Sequence, residues 1–278
     1  MRSGFVTFVG RPNVGKSTLL NRILGTKVAI TSDKPQTTRT RIMGVLTRPD
    51  AQIVFVDTPG IHKPRTALGS RLNTTAEATI DDVDVVCFVI DATQPFGRGD
   101  QWVANLVPKD AVCVVNKVDR ASKAQVIEQL AKAAELDLEA YFPVSARTGD
   151  GVGALVEHLV ERLPEGPQYF PDNMVTDVPE AFMVAELVRE QLLRRTREEL
   201  PHSIATRVVE WDWPLIRCEI VVERPSQKGI VIGRGGQVLK EVGTAVRQQL
   251  PDGAYLELIV KVDKDWQRRP KAMERFGY

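Results

Sequence analysis

The segment from Gly10 to Ser17 carries residue types that bind phosphate. It contains G-R-P-N-V-G-K-S and fits the pattern G-x-x-x-x-G-K-[ST]. Glycines let backbone amides close around a β-phosphate, the Lys16 ammonium can reach the β- and γ-phosphates, and the Ser17 hydroxyl can bind Mg²⁺. At average residue frequencies, a chance match in a chain of this length has odds of roughly one in a hundred. The predicted phosphate-binding residues are Gly10, Arg11, Pro12, Asn13, Val14, Gly15, Lys16, Ser17 and Thr18.

A second phosphate and metal motif, D-T-P-G, occupies residues 57–60 at the end of an apolar run. Asp57 can hold Mg²⁺ through a water molecule, and the Gly60 amide can donate to a γ-phosphate. On its own this tetrapeptide is as typical of a plain turn. Its place after a phosphate loop, at the carboxyl end of a predicted strand, favours a nucleotide site. The motif predicts Asp57, Thr58, Pro59 and Gly60 as nucleotide-binding residues.

The polar stretch between the two motifs contains Thr37 and Thr38. A threonine there could complete the magnesium shell only when a γ-phosphate is present, and we expect Thr38 rather than Thr37 to do so. The predicted metal ligands are therefore Ser17, Thr38 and Asp57. The predicted catalytic residues are Lys16, Thr38 and Gly60.

The base is predicted to be guanine because N-K-V-D occupies residues 116–119 at the end of another apolar run. The Asp119 carboxylate can accept from N1–H and the 2-amino group of guanine, whereas adenine offers it neither donor. Asn116 would fix the loop, and the stem of Lys117 would cover the base. Beyond the last strand of this region, the Ala146 amide could donate to the guanine O6. The residues that complete this base pocket are Asn116, Lys117, Asp119, Ser145, Ala146 and Arg147.

Ile61 follows D-T-P-G where many GTPases carry the glutamine that orients the attacking water. An apolar side chain cannot orient water, so slow intrinsic hydrolysis is expected. The motifs resemble translation-factor-related GTPases that have a hydrophobic residue at this position. Asn13 matches a residue that ligates K⁺ near the phosphates in some of them, although it could equally well only brace the loop.

Strands and helices alternate in the first part of the chain, which predicts an α/β domain with a mostly parallel sheet flanked by helices. A proline-rich stretch (Pro164, Pro167, Pro171, Pro179) then predicts an extended linker. The expected division is residues 1–165, a linker at 166–180, and a smaller α+β domain at 181–278. The predicted element order of the last domain is helix, strand, strand, loop, helix, strand.

Composition is that of a soluble globular protein, with 43% hydrophobic and 26% charged residues and a net charge of +1. A chain this close to neutrality is not a basic nucleic-acid coat, so any RNA surface must be local. No apolar run reaches membrane-spanning length, and no signal-peptide pattern opens the sequence. Three cysteines in apolar runs are expected to be reduced core thiols, which favours the cytoplasm.

A glycine cluster in the second domain indicates such a local RNA surface. Residues 233–236 fit G-x-x-G, the loop that brings a nucleic-acid backbone close in KH domains. Five basic residues and a single acid lie between Arg224 and Arg247, although G-x-x-G alone is more often a turn. The predicted RNA-binding residues are Arg224, Lys228, Ile232, Gly233, Arg234, Gly235, Gly236, Lys240 and Arg247.

Over essentially its whole length the chain resembles the Era family of ribosome-associated GTPases. The resemblance rests on G-R-P-N-V-G-K-S (10–17), Q-T-T-R (36–39), D-T-P-G-I-H-K-P (57–64), N-K-V-D (116–119), Y-F-P-D-N-M-V-T-D-V-P-E (169–180) and V-I-G-R-G-G (231–236). It implies a type II KH domain that binds near the 3′ end of 16S rRNA during maturation of the 30S subunit. It also implies peripheral contact with the inner membrane, which the residues themselves do not support.

Three functions are open at this point: a GTP-driven ribosome assembly factor, an RNA-modifying or transfer-RNA-linked GTPase, and a membrane signalling GTPase whose second domain contacts protein. The second is disfavoured because no cysteine or cofactor motif accompanies the nucleotide motifs. The third requires that the basic patch bind no RNA. We expect GTP as substrate, Mg²⁺ with K⁺ as a further candidate cofactor, and a monomer.

The base assignment predicts the effect of Asp119→Asn. Because the carboxylate accepts from the 2-amino group, the amide should weaken GTP binding and favour xanthosine triphosphate, whose 2-oxo group needs a donor. Titration of wild type and variant with both nucleotides measures this exchange of preference. Equal GTP affinity in the two proteins would remove Asp119 from the base pocket.

Overall fold

The computed structural model describes residues 1–64, 66–196 and 200–278, which form two compact units. Unit 1 comprises residues 1–29, 38–64 and 69–177. Unit 2 comprises residues 30–37, 66–68, 178–196 and 200–278. The short segment 30–37 therefore groups with the second unit, although its neighbours along the chain group with the first.

The sheet of unit 1 has six strands in the order β2-β3-β1-β4-β5-β6. They are β1 (Arg2–Val9), β2 (Ile42–Thr47), β3 (Ala51–Asp57), β4 (Val85–Asp91), β5 (Val112–Asn116) and β6 (Ala140–Pro143). All pairs are parallel except β2 with β3, which is antiparallel. Every residue of β3 and β5 is buried, as expected for strands covered on both faces.

The helices that alternate with these strands are α1 (Lys16–Leu24), α2 (Ala67–Asp81), α3 (Arg98–Ala104), α4 (Lys123–Ala134) and α5 (Val152–Arg162). The Ser122 hydroxyl caps α4 by accepting from the Gln125 amide. Because most of the strands run in one direction, their carboxyl ends share an edge of the sheet. The phosphate loop, D-T-P-G, N-K-V-D and residues 145–147 lie at the ends of β1, β3, β5 and β6 at that edge.

Unit 2 is an α+β fold with a three-stranded sheet in the order β7-β8-β9. Its elements are α6 (Glu180–Arg195), α7 (Leu200–Ser203), β7 (Ala205–Asp212), β8 (Leu215–Val222), α8 (Pro225–Ile232), α9 (Gln237–Arg247), β9 (Tyr255–Val262) and α10 (Pro270–Arg275). Strand β8 pairs antiparallel with β7 and parallel with β9. Apolar side chains of α6 and α9 pack in the core with those of β8, among them Leu192, Val246 and Ile220.

The α/β fold with a mostly parallel sheet is confirmed, and so is the smaller α+β domain. Strand β2 and helices α2, α7, α8 and α10 were not predicted from the sequence. Threonines and other weak helix formers in α2 obscured it, and β2 is a short edge strand with Gly44 at its centre. Helix α8 directly precedes the G-x-x-G glycines, whose pattern predicts a loop rather than a helix.

The proline-rich stretch lacks long regular elements, yet the structure does not leave it as a free linker. The buried side chain of Gln52 accepts from the amides of Tyr169 and Phe170, at 2.8 and 2.9 Å, and donates to the Phe170 carbonyl. The Val45 amide also donates to the Val175 carbonyl at 2.8 Å. Residues 166–177 consequently belong to unit 1, and the boundary falls after Asp177 rather than at residue 165.

Cys87, Cys113 and Cys218 are free and buried, as the sequence suggested. Burial raises the pKa of each thiol, to about 12 for Cys113 and Cys218. No helix within the described parts of the chain is both long and apolar enough to cross a membrane.

Candidate nucleotide site and RNA-facing loop

The phosphate loop holds a buried ammonium group. Lys16 is 6% exposed, and its Nζ donates to the carbonyls of Gly10 and Arg11 at 3.1 Å each. Burial lowers the pKa of Lys16 to about 8, although the nearby Asp57 carboxylate acts in the opposite direction. Because nearby groups offset little of the cost of burying this cation, it is suited to bind an anion that enters the loop.

Three oxygen-bearing side chains meet beside Lys16. Ser17 Oγ donates to Asp57 Oδ2 at 2.6 Å and lies 2.9 Å from Thr38 Oγ1. Thr37 takes no part, because its hydroxyl donates to the Lys34 carbonyl at 2.7 Å. Of the two threonines considered, Thr38 is thus the one that the structure brings to this cluster.

Asp57 is buried, and burial raises the pKa of its carboxyl despite the hydroxyl donors and Lys16, which act to lower it. Its Oδ1 atom is buried without a hydrogen-bond partner in the described part of the chain. An unpaired carboxylate oxygen beside two hydroxyl oxygens is the donor set that Mg²⁺ prefers. The residues present therefore fit a magnesium ion.

The end of the D-T-P-G turn packs directly on the phosphate loop. A Cβ atom at Gly60 would lie 2.7 Å from the Pro12 nitrogen, so a glycine is needed for this approach. The next amide, that of Ile61, donates to the Gly10 carbonyl at 3.1 Å. The Ile61 side chain is fully buried in the core with Val9, so it offers the site no polar group.

Asn116 joins the phosphate loop to the last base-pocket motif. Its Nδ2 donates to the Val14 carbonyl at 2.8 Å, and its Oδ1 accepts from the Ala146 amide at 3.0 Å. The sequence analysis assigned that amide to the guanine O6, whereas here it is bonded to Asn116. The Arg147 carbonyl oxygen accepts a hydrogen bond from the Arg22 side chain.

Asp119 is held in place by the Ser145 hydroxyl, which donates to Asp119 Oδ1 at 2.7 Å. Ser145 Oγ in turn accepts from the Thr148 amide at 3.0 Å. Within the described residues, Asp119 Oδ2 accepts no hydrogen bond. The predicted base-reading carboxylate is thus oriented by Ser145 while keeping one oxygen for a ligand.

Asp91 ends β4 at the same edge of the sheet and was not among the predicted site residues. Lys117 Nζ donates to Asp91 Oδ2 and to the Asn13 carbonyl, both at 2.6 Å. The amide and hydroxyl of Thr93 occupy the other oxygen of Asp91, at 2.9 and 2.7 Å. Asp91 thereby orients the lysine of N-K-V-D, and its position at a strand end was the signal available in the sequence.

Arg11 was predicted to bind phosphate, but its side chain points to α3 instead. Its Nη1 donates to Asp100 Oδ2 at 2.8 Å. The same Asp100 oxygen accepts from the Gly97 amide at 3.0 Å and so caps α3. Only the backbone of Arg11 remains available to the phosphates.

Unit 2 places the G-x-x-G loop between α8 and α9. Gly233, Gly235 and Gly236 all have positive φ values, of 76°, 60° and 78°. Arg234 is exposed between them. A side chain at Gly235 or Gly236 would meet nothing within 4 Å, so these positions leave open space above the loop.

The predicted basic residues are less clustered in the structure than in the sequence. Lys228 on α8 and Lys240 on α9 are exposed near the loop. Arg224 precedes α8, and Arg247 ends α9 at roughly 15 Å along the helix axis from Gln237. Ile230, three residues before the loop on α8, is 58% exposed and was not among the predicted residues.

Both units match models of protein families. Residues 5–117 match the family described as 50S ribosome-binding GTPase, and residues 199–267 match the KH domain. The two matches cover the phosphate loop, N-K in the base motif and the G-x-x-G loop.

Curated relatives cover the whole chain. It is 44% identical to the GTPase Era of Heliobacterium modesticaldum, covering 100% of this chain and 97% of the relative. It is 47% identical to the GTPase Era of Mycobacterium sp. strain JLS, covering 100% of this chain and 99% of the relative.

Solved structures agree over the same length. A structure of a single-residue variant of Aquifex aeolicus Era bound to GDP and AlF4⁻ matches with a TM-score of 0.93 and 41% identity. An Era complex with MgGDPNP and nucleotides 1506–1542 of 16S ribosomal RNA matches with a TM-score of 0.94 and 41% identity. Each match covers 100% of this chain and 99% of the other.

Proposed function

The chain belongs to the Era family of GTPases, and from this membership we propose that it binds 16S rRNA near its 3′ end and assists 30S subunit assembly and maturation. One observation carries the proposal. A chain that carries the predicted guanine-nucleotide motifs in unit 1 and an open G-x-x-G loop in unit 2 matches, over its full length, an Era complex containing MgGDPNP and 16S rRNA nucleotides. GTP hydrolysis itself follows from the family.

We propose that Ser17, Thr38 and Asp57 hold Mg²⁺ with the nucleotide. The unpaired Asp57 Oδ1 and the two adjacent hydroxyl oxygens support this assignment. When bound, Mg²⁺ neutralises charge that develops on the phosphate oxygens. Thr38 would bind only while the γ-phosphate is present, which makes its segment sensitive to the nucleotide.

Residues of the chain itself then bind the phosphates and the base. Lys16 Nζ moves its hydrogen bonds from the Gly10 and Arg11 carbonyls to phosphate oxygens, and the Gly60 amide donates to the γ-phosphate. Asp119, oriented by Ser145, accepts from guanine. Because the buried Ile61 side chain cannot orient water, unstimulated turnover should lie on the order of 10⁻⁴–10⁻² per second.

We propose that unit 2 binds an unpaired RNA segment across the G-x-x-G loop. The open space at Gly235 and Gly236 supports close approach of a phosphate backbone, and Arg234 supplies a charge there. The 16S rRNA would lie in the assembling 30S subunit, and the chain would act as a cytoplasmic monomer. Peripheral contact with the inner membrane stays a prediction from the resemblance alone.

Potassium dependence tests the proposed role of Asn13. The backbone at this residue is left-handed, with φ of 67°, and its carbonyl accepts from Lys117. If the side chain ligates K⁺ near the phosphates, hydrolysis should be faster in potassium than in sodium, and Asn13→Ala should remove the difference. Asn105→Ala, at the end of α3, is the matched control. Identical wild-type rates in the two salts would refute the potassium role and leave GTP hydrolysis standing.

RNA binding is tested by replacing Arg234 and Gly235 with aspartate. The variant should repel phosphate and fill the space above the loop, so affinity for an oligonucleotide matching the 3′ end of 16S rRNA should collapse. GTP hydrolysis without RNA should stay near wild type. Filter binding at several salt concentrations should give a wild-type slope of about −0.7 per phosphate contact.

A matched control replaces Arg268 and Gly253 with aspartate. Gly253 also has a left-handed φ, of 89°, and the charge change is the same, but these residues lie away from the loop in sequence. The control should bind RNA as wild type does. If the loop variant binds as tightly as the control, the loop is only a turn, and a second domain that contacts protein becomes the better account.

A further inference from the structure

Two tryptophans are exposed at the turn that joins β7 to β8. Trp211 is 39% exposed and Trp213 is 50% exposed. Large aromatic side chains gain most by burial, and tryptophan is enriched where proteins contact each other. Neither residue belongs to the nucleotide site or to the G-x-x-G loop.

The two indoles line a groove of about 470 Å³ within unit 2. The other walls are the first two turns of α6 and the residues that follow α9. Its apolar lining residues are Met183, Val184, Leu187, Ile216, Leu250 and Pro251. Such a volume accommodates one or two side chains of a partner.

Among the described residues, the charged residue that lines this groove is an acid, Glu180. Glu180 is exposed, and in the described part of the chain its carboxylate forms no ion pair or hydrogen bond. No lysine or arginine of the described residues lines the groove. An RNA backbone would therefore be repelled here, whereas a cationic side chain would be attracted.

Indole rings bind cations on their faces, most effectively arginine guanidinium and lysine ammonium groups. We propose that the groove docks a basic segment of a protein, with an arginine or lysine against Trp211 and Trp213 and an apolar neighbour on the groove floor. The proposal rests on the proposed function, under which the basic segment belongs to a protein of the 30S subunit.

Helix α9 separates this groove from the RNA loop. The helix begins beside Gly236 and ends with Arg247, just before the lining residues Gln249 and Leu250. Eleven residues of α-helix span about 16 Å. The basic loop at one end and the acidic, aromatic groove at the other can thus engage RNA and protein at the same time.

Two groove variants test the proposal: Trp213→Ala and Glu180→Lys. Their matched controls are Trp102→Ala, an exposed tryptophan of unit 1, and Glu128→Lys, which makes the same charge change. Each protein is titrated against the 16S rRNA oligonucleotide by filter binding and against purified 30S subunits by co-sedimentation. Thermal unfolding confirms that every variant is folded.

The groove variants should bind 30S subunits at least about tenfold more weakly than the controls, as for loss of a central aromatic anchor. Their affinity for the oligonucleotide should be unchanged. Groove variants that bind 30S subunits like the controls overturn the proposal. Groove variants that lose the oligonucleotide to the same degree also overturn it, since the groove would then bind RNA.

A photoreactive phenylalanine analogue at position 213 identifies what covers the groove. On 30S subunits it should crosslink to a lysine- or arginine-rich segment of a ribosomal protein, whereas a crosslink to rRNA contradicts the proposal. Wild-type protein that binds neither the oligonucleotide nor 30S subunits overturns the proposed function and the docking with it. If wild-type protein binds both the oligonucleotide and 30S subunits, groove variants that bind 30S subunits like the controls overturn only the docking proposal.

Discussion

The buried ammonium of Lys16 is the interaction around which unit 1 is organised. Removing this cation from water is unfavourable. Hydrogen bonds to two backbone carbonyls and the charge of the Asp57 carboxylate offset that cost only in part, so the pKa of Lys16 falls to about 8. The charge is retained because a phosphate completes the site. On this account, the folded chain holds an unfavourable group in readiness for its ligand, and nucleotide binding relieves the cost.

The sheet supplies the rigidity that such a group requires. Strands β1, β3, β4 and β5 end at one edge, so the phosphate loop, Asp57, Asp91 and Asn116 are fixed relative to one another by backbone pairing. Side-chain bonds then join neighbouring motifs, as Asn116 joins Val14 to Ala146. The proposed sites for phosphate, metal and base are consequently parts of one hydrogen-bonded edge rather than separate sites.

The sequence was sufficient for the motifs, the parallel sheet and the α+β second domain, since each rests on local spacing or periodicity. It was insufficient where partners are distant along the chain. Asp91, Asp100 and Gln52 contact residues 26, 89 and 118 positions away, and no local pattern shows which residue each of them contacts. Gln52 also explains the misplaced boundary, because the proline pattern predicts an extended stretch and cannot show that a buried amide holds it. The groove beside Trp211 was not predicted either, because the residues that line it are distant along the chain.

The most direct test of this account measures protons taken up when MgGDP binds to the nucleotide-free protein. A lysine with a pKa of about 8 that regains its full charge on binding phosphate should take up about three-quarters of a proton at pH 8.5 and about a tenth at pH 7. Calorimetric titrations in buffers with different ionisation enthalpies give both values. Uptake that rises in this way between the two pH values supports a Lys16 whose pKa stays lowered until phosphate binds. Uptake near zero at pH 8.5 would show that the ammonium is already fully charged, and would contradict the account.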